Sequence, residues 1–234
     1  CVEGMAEACR ILGTPVTGGN VSFYNENPKG AIDPTPVVGM LGLLEDMDRY
    51  CSPDFKREGD LVILLGECKD DLGGSEYLKL IFGLKMGDSP PIDLKREKAV
   101  QRTCLEAIKA GLINSAHDCS EGGLAVTLAE CCILNSSQKI GAIIDLLPSH
   151  FPFSLGTDGL FFGETQSRIV VSCRPEYFNQ IRDLAHKNKA PLAKLGKIEG
   201  DKLIIGIKGK RLIDIGLDEL EKLWRRALSR HIQV

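Results

Sequence analysis

The residues best suited to chemistry lie in one run near the start of the chain: Thr14, Pro15, Val16, Thr17, Gly18, Gly19, Asn20, Val21, Ser22, Phe23, Tyr24, Asn25 and Glu26. An apolar, strand-like approach breaks at paired glycines. It then delivers a carboxamide, a hydroxyl, a second carboxamide and a carboxylate. Glycine carries no Cβ, so the backbone there can approach a phosphate closely. Asn20 offers a neutral oxygen of the sort magnesium accepts when phosphates supply the rest of its shell. Ser22, two residues along an extended chain, points to the same face as Asn20. A Gly-Gly-Asn in isolation is more often a polar turn, and its weight here comes from the company it keeps.

Three further knots share its character. Ala116-His117-Asp118-Cys119-Ser120-Glu121-Gly122-Gly123-Leu124 reads as a strand delivering an aspartate, then a turn opening a helix whose free N–H groups suit an anion. Asp118 or Glu121 is either a metal or hydroxyl ligand or a helix cap, and the sequence weighs the two evenly. His117 reads as a structural histidine. Phe161-Phe162-Gly163-Glu164-Thr165-Gln166-Ser167-Arg168 places polar groups, Glu164 and Gln166 among them, at the mouth of an apolar strand. Leu72-Gly73-Gly74-Ser75-Glu76 is another glycine-led helix start, ambiguous between cap and phosphate site. No Gly-x-Gly-x-x-Gly and no lysine-bearing phosphate loop occurs. Together the knots suggest an unusual phosphate-handling fold.

The elements that must position these knots are legible from periodicity. Helices are expected over 2–12, 75–82, 93–110, 124–134, 175–187 and 218–228, and strands over 35–44, 61–65, 113–119, 140–147, 168–173, 193–198 and 203–207. Residues 193–198 and 203–207 lie too close for a helical crossover and are expected to be antiparallel neighbours. The fold class is therefore α+β, with mixed α/β layers, rather than a purely parallel doubly wound sheet.

The chain has 234 residues, 43% hydrophobic and 26% charged, with a net charge of −3. That balance gives no electrostatic reason to bind nucleic acid or an anionic membrane, and no apolar run is long enough to span a bilayer. The nine cysteines show no Cys-x-x-Cys spacing, so a reducing cytoplasm is the expected compartment. The chain opens without Met, inside a helix, which reads as the C-terminal portion of a longer protein. Cys1 as an N-terminal nucleophile finds no supporting amidase motif.

The stretches 17–26, 34–46, 72–78, 116–125 and 162–172 resemble, in order, the synthetase subunit of phosphoribosylformylglycinamidine synthase in its short form, whose glutaminase is a separate protein. The resemblance implies two fused aminoimidazole-ribonucleotide-synthetase-like copies, each with an A and a B domain. Residues 1–57 would be the tail of the second A domain and 58–234 the complete second, C-terminal B domain. The missing first half would hold the catalytic histidine, leaving no catalytic residue here. Carried over by motif, Gly19 would contact ATP, Asn20 would bind Mg2+ and Ser22 would contact the substrate, formylglycinamide ribonucleotide. The implied reaction is an ATP-dependent amidation with glutamine-derived ammonia in purine biosynthesis. The implied partners are a glutaminase subunit, a small bridging subunit and the N-terminal half. Two alternatives remain: another member of the superfamily (aminoimidazole ribonucleotide synthetase, selenophosphate synthetase or a hydrogenase-maturation protein), or a non-catalytic packing module exposing Val37–Leu44.

Overall fold

A computed structural model of the chain describes residues 1–21, 26–147, 151 and 155–227. It divides into two units, Cys1–Met47 and Asp48–Val234.

In the first unit, α1 (Val2–Leu12) ends where Gly13 turns left-handed at φ 77°. Strands β1 (Glu26–Asn27) and β2 (Gly30–Ala31) pair antiparallel across a tight turn, where Asn27 Oδ1 accepts the Lys29 N–H at 2.8 Å. The strand expected over 35–44 does not form. Its residues are irregular and open, with Val37 95% and Leu41 102% exposed. A strand exists only where a neighbour takes up its N–H and C=O groups, and among the described residues of this unit none lies alongside.

The second unit is built on one seven-stranded sheet, ordered β4-β6-β3-β7-β5-β8-β9. These strands are β3 (Leu61–Leu65), β4 (Ser115–Asp118), β5 (Ala142–Leu146), β6 (Ile169–Cys173), β7 (Leu192–Ile198), β8 (Lys202–Ile207) and β9 (Lys210–Gly216). Alternation along β3 and β6 sends Ile63, Leu65, Val171 and Cys173 to one face. There they meet Val100, Cys104 and Ala107 of α3 (Leu94–Lys109) and Ile181 and Ala185 of α6 (Phe178–Asn188). Val62, Leu64 and Val170 go to the other face. Their partners include Leu124 and Leu128 of α4 (Gly123–Ile133), Leu160 and Phe161 of α5 (Thr157–Phe162) and Leu217 of α7 (Leu217–Arg225). Each fully buried Leu or Ile contributes about 1.5–3 kcal/mol, so a strand covered on both sides, as β3 is, anchors both layers. The mixed α/β layering expected from sequence is what forms.

One expectation about connectivity is corrected. β7 and β8 are not neighbours: β5 lies between them, antiparallel to β7 and parallel to β8. The insertion depends on Gly141, which bonds both ways to the turn between β7 and β8 (Gly141 N–H to Gly200 O, 2.7 Å; Glu199 N–H to Gly141 O, 2.9 Å). A Cβ on Gly141 would sit 2.3 Å from Lys202 O. Two elements escaped periodicity, β9 and α5. β9 follows a tight turn at Lys208 and Gly209, both at positive φ. α5, with six residues, is too short to show a period.

Residues 48–57, read from sequence as the end of the first domain, belong to the second unit. Phe55 is buried in its core and donates its N–H to Cys131 O at 2.8 Å. Helix α2 (Glu76–Phe82) begins at Ser75, whose hydroxyl accepts the Leu78 N–H, and α3 begins at Asp93, whose carboxylate accepts from Lys95 and Arg96. At Ser75, which the sequence left open between cap and phosphate site, the cap forms. Among the described residues no helix is long and apolar enough to cross a membrane.

Candidate functional site

Strand register brings three of the four knots together. β6 pairs antiparallel with both β3 and β4, setting Ile169 opposite Leu65 on one side and Asp118 on the other. The start of β6 and the ends of β3 and β4 therefore share one end of the sheet, and the loops 66–76, 119–122 and 163–168 meet there.

Their convergence point is Glu164. Its Oε1 accepts the N–H of Glu76 and the N–H of Gly122, both at 2.9 Å. Its own N–H donates to Asp71 O at 2.9 Å. Next to it, the buried Thr165 hydroxyl bridges the Lys69 backbone, accepting from N–H at 3.1 Å and donating to O at 3.3 Å. Arg168, 2% exposed, ties the loop down from below. It donates Nε to Thr165 O (2.8 Å), Nη2 to Gly163 O (2.6 Å) and Nη1 to Cys68 Sγ (3.3 Å). Tyr77 stacks on Phe162 at 5.1 Å between ring centroids.

Asp118 and Glu121 do not cap α4. The residue before the helix is Gly122, which receives no side-chain bond from its own neighbourhood. Its N–H goes instead to the distant Glu164, an arrangement no local spacing reveals. Asp118 accepts the Ser120 hydroxyl, and this bond holds its carboxyl below the usual range. His117 has Nε2 3.2 Å from Glu130 Oε2 and Nδ1 3.5 Å from Asp118 Oδ1. Its pKa is raised, chiefly by the bond to Glu130, so it is a paired structural histidine, as the sequence suggested. Burial pushes the thiols of Cys104, Cys132 and Cys173 up to about 12 and that of Cys119 up to about 11, far from nucleophilic use at neutral pH.

The fourth knot belongs to the first unit. Gly19 and Asn20 lie in an irregular, exposed segment, and a Cβ on Gly19 would meet nothing within 4 Å. Ser22 lies outside the described residues. No group of three or more His, Cys, Asp or Glu among the described residues is arranged to hold a metal. The exposed Asn20 carboxamide is a neutral oxygen of the kind magnesium accepts beside phosphate and water oxygens.

A family model described as AIR synthase related protein, C-terminal domain, matches residues 57–208, and the corresponding N-terminal domain model matches residues 1–44. The chain belongs to the AIR synthase related family. Within that class it is 48% identical over 227 residues to phosphoribosylformylglycinamidine synthase subunit PurL of Moorella thermoacetica, covering 97% of this chain and 30% of the relative. It is 47% identical over 224 residues to the same subunit of a Thermoanaerobacter species, covering 96% of this chain and 30% of the relative. The chain thus spans about 30% of the length of the curated relatives it matches. Among solved structures it resembles Thermotoga maritima PurL complexed with FGAR (TM-score 0.73, 18% identity, 94% of this chain and 36% of that one). It also resembles T. maritima PurLQS (TM-score 0.68, 17% identity, 94% of this chain and 35% of that one). Both are likenesses of fold.

Proposed function

We propose that the chain is the closing portion of a PurL-type synthetase, with residues 1–57 the tail of its second A domain and 58–234 its second B domain. The observation that carries this reading is the identity of nearly half its residues to PurL along 97% of its length. The T. maritima titles name complexes with ATP, AMPPCP, ADP and FGAR, which fits an ATP-dependent amidation.

In that reaction the formyl amide oxygen of formylglycinamide ribonucleotide takes the γ-phosphoryl group of ATP. ADP leaves in that step, and ammonia then displaces inorganic phosphate to give the amidine. Gly19 lets the backbone lie against the nucleotide, Asn20 offers its oxygen to Mg2+, and Ser22 holds the substrate. Neither Asn20 nor Ser22 ionises near neutral pH, so both position reactants rather than move protons. When bound, magnesium would neutralise charge on the polyphosphate. The proton chemistry belongs to residues beyond this chain. Ammonia would come from a glutaminase subunit docked through a small bridging subunit, all in the cytoplasm.

A packing module without a catalytic part is favoured by one observation, the open apolar run at Val37, Val38, Met40, Leu41 and Leu43. The two readings separate on Asn20→Ala in the full-length protein. As a magnesium ligand, its loss lowers turnover at least tenfold and raises the Mg2+ needed for half-maximal rate, with the melting temperature within about 1 °C of wild type. Unchanged turnover would remove the metal role and leave the packing reading.

A further inference from the structure

The knots at 72–76 and 116–124 read from sequence as helix starts able to take a cap or an anion such as phosphate, and both point N–H groups at an anion the chain already carries. We propose that Glu164 is a built-in anion: its carboxylate, accepting the Gly122 and Glu76 N–H groups, fills the place a phosphate would take, so these loops receive a small oxyanion only when that side chain is removed.

Three observations support this independently of the proposed reaction. First, one oxygen, Glu164 Oε1, sits 2.9 Å from each of the two nitrogens, so neither N–H is left to an external ligand. Second, the space that a glycine usually leaves open for a phosphate is taken by backbone. A Cβ on Gly123, whose φ is +70°, would stand 2.6 Å from Gly163 O and 3.0 Å from Phe161 O. Those carbonyl oxygens repel an anion as well as crowd it. Third, the surrounding charge is unfavourable to phosphate. Glu76 belongs to the same junction, and the nearby Lys79 is already held by the Glu76 carboxylate at 2.8 Å. Glu121 lies close enough to act on the Lys79 charge.

The carboxylate is also well held. Thr165 and Arg168 anchor the loop on either side of it through Lys69, Gly163 and Cys68. Glu164 thus acts as a positioning residue, joining the loops after β3 and β4 through the loop before β6. In this half of the fold the glycines serve close packing rather than phosphate approach.

The test is hydrogen exchange at single amides in the full-length protein, comparing wild type, Glu164→Ala and Glu164→Gln, with formate and inorganic phosphate as probes. In Glu164→Ala, the Glu76 and Gly122 amides exchange roughly tenfold faster, the size expected for losing a charge-assisted bond. Formate at tens of millimolar slows them again, while wild type responds to neither probe. Glu164→Gln keeps an acceptor oxygen without the charge and falls between the two. If Glu164→Ala does not fold, Glu164→Gln carries the test through its faster exchange at those two amides alone. The proposal is overturned by unchanged exchange in the variants, by a folded Glu164→Ala that ignores formate, or by phosphate protecting these amides in wild type.

Discussion

Arg168 poses a question that the geometry can decide, because it is a buried cation with no carboxylate partner among the described residues. Its guanidinium bonds to two backbone carbonyls, Thr165 O at 2.8 Å and Gly163 O at 2.6 Å, and to the Cys68 thiol at 3.3 Å. Replacing a buried ion pair by apolar residues is often neutral or stabilising, since both charges leave together. Here the partners are main-chain oxygens and cannot leave. Arg168→Met keeps most of the side-chain volume but orphans both carbonyls, at about 1–3 kcal/mol each. Relief from burying a charge offsets part of that. The expected net loss is about 3 kcal/mol, in the lower half of a summed range of about 2–6 kcal/mol. For a chain of this length the urea dependence lies near the upper end, about 3 kcal/mol per molar. The urea midpoint followed by circular dichroism should therefore fall by about 1 M at unchanged slope. A midpoint that stays put or rises would mean that the guanidinium is a net cost and that the loop before β6 holds its shape without it.

Two further perturbations probe the same junction. His117 has its folded pKa raised by Glu130 above the unfolded value of about 6.5. Its stabilising contribution is therefore complete below about pH 6.5 and disappears as pH climbs through the folded pKa. The stability difference between wild type and His117→Gln should be larger at pH 6 than at pH 8.5, and a difference that grows with pH would contradict the pairing. Gly123→Ala forces a Cβ to within 2.6 Å of Gly163 O at a positive φ, and should cost about 2 kcal/mol or more. Gly19→Ala meets open space, so it should leave the melting temperature within about 1 °C of wild type while weakening nucleotide binding. Equal melting temperatures for the two variants would refute this contrast.

Much of the second unit could be read in advance because its signals are local. Leu61–Leu65 is an unbroken apolar strand, a helix fills most of 93–110, and α4 follows its glycines. The misreadings concern partners far apart in sequence. No local pattern says that β5 slides between β7 and β8, because the decisive contact is Gly141 against the turn at Gly200. Residues 35–44 have strand chemistry but, among the described residues, no strand alongside. The site followed the same division. The polar knots were visible as composition, but their junction at Glu164 follows from the register Leu65–Ile169–Asp118, which only the assembled sheet reveals. Cap and ligand looked equally plausible for Asp118 because the group that takes the Gly122 N–H lies 42 residues away.

The account stands or falls on turnover. Full-length protein is supplied with formylglycinamide ribonucleotide, ATP, Mg2+ and ammonium, and amidine and ADP are quantified together. The expected result is one ADP per amidine, with no product when ATP is omitted and none from the 234-residue chain by itself. Amidine formed without ATP, ADP released without amidine, or turnover by this chain alone would contradict the assigned chemistry.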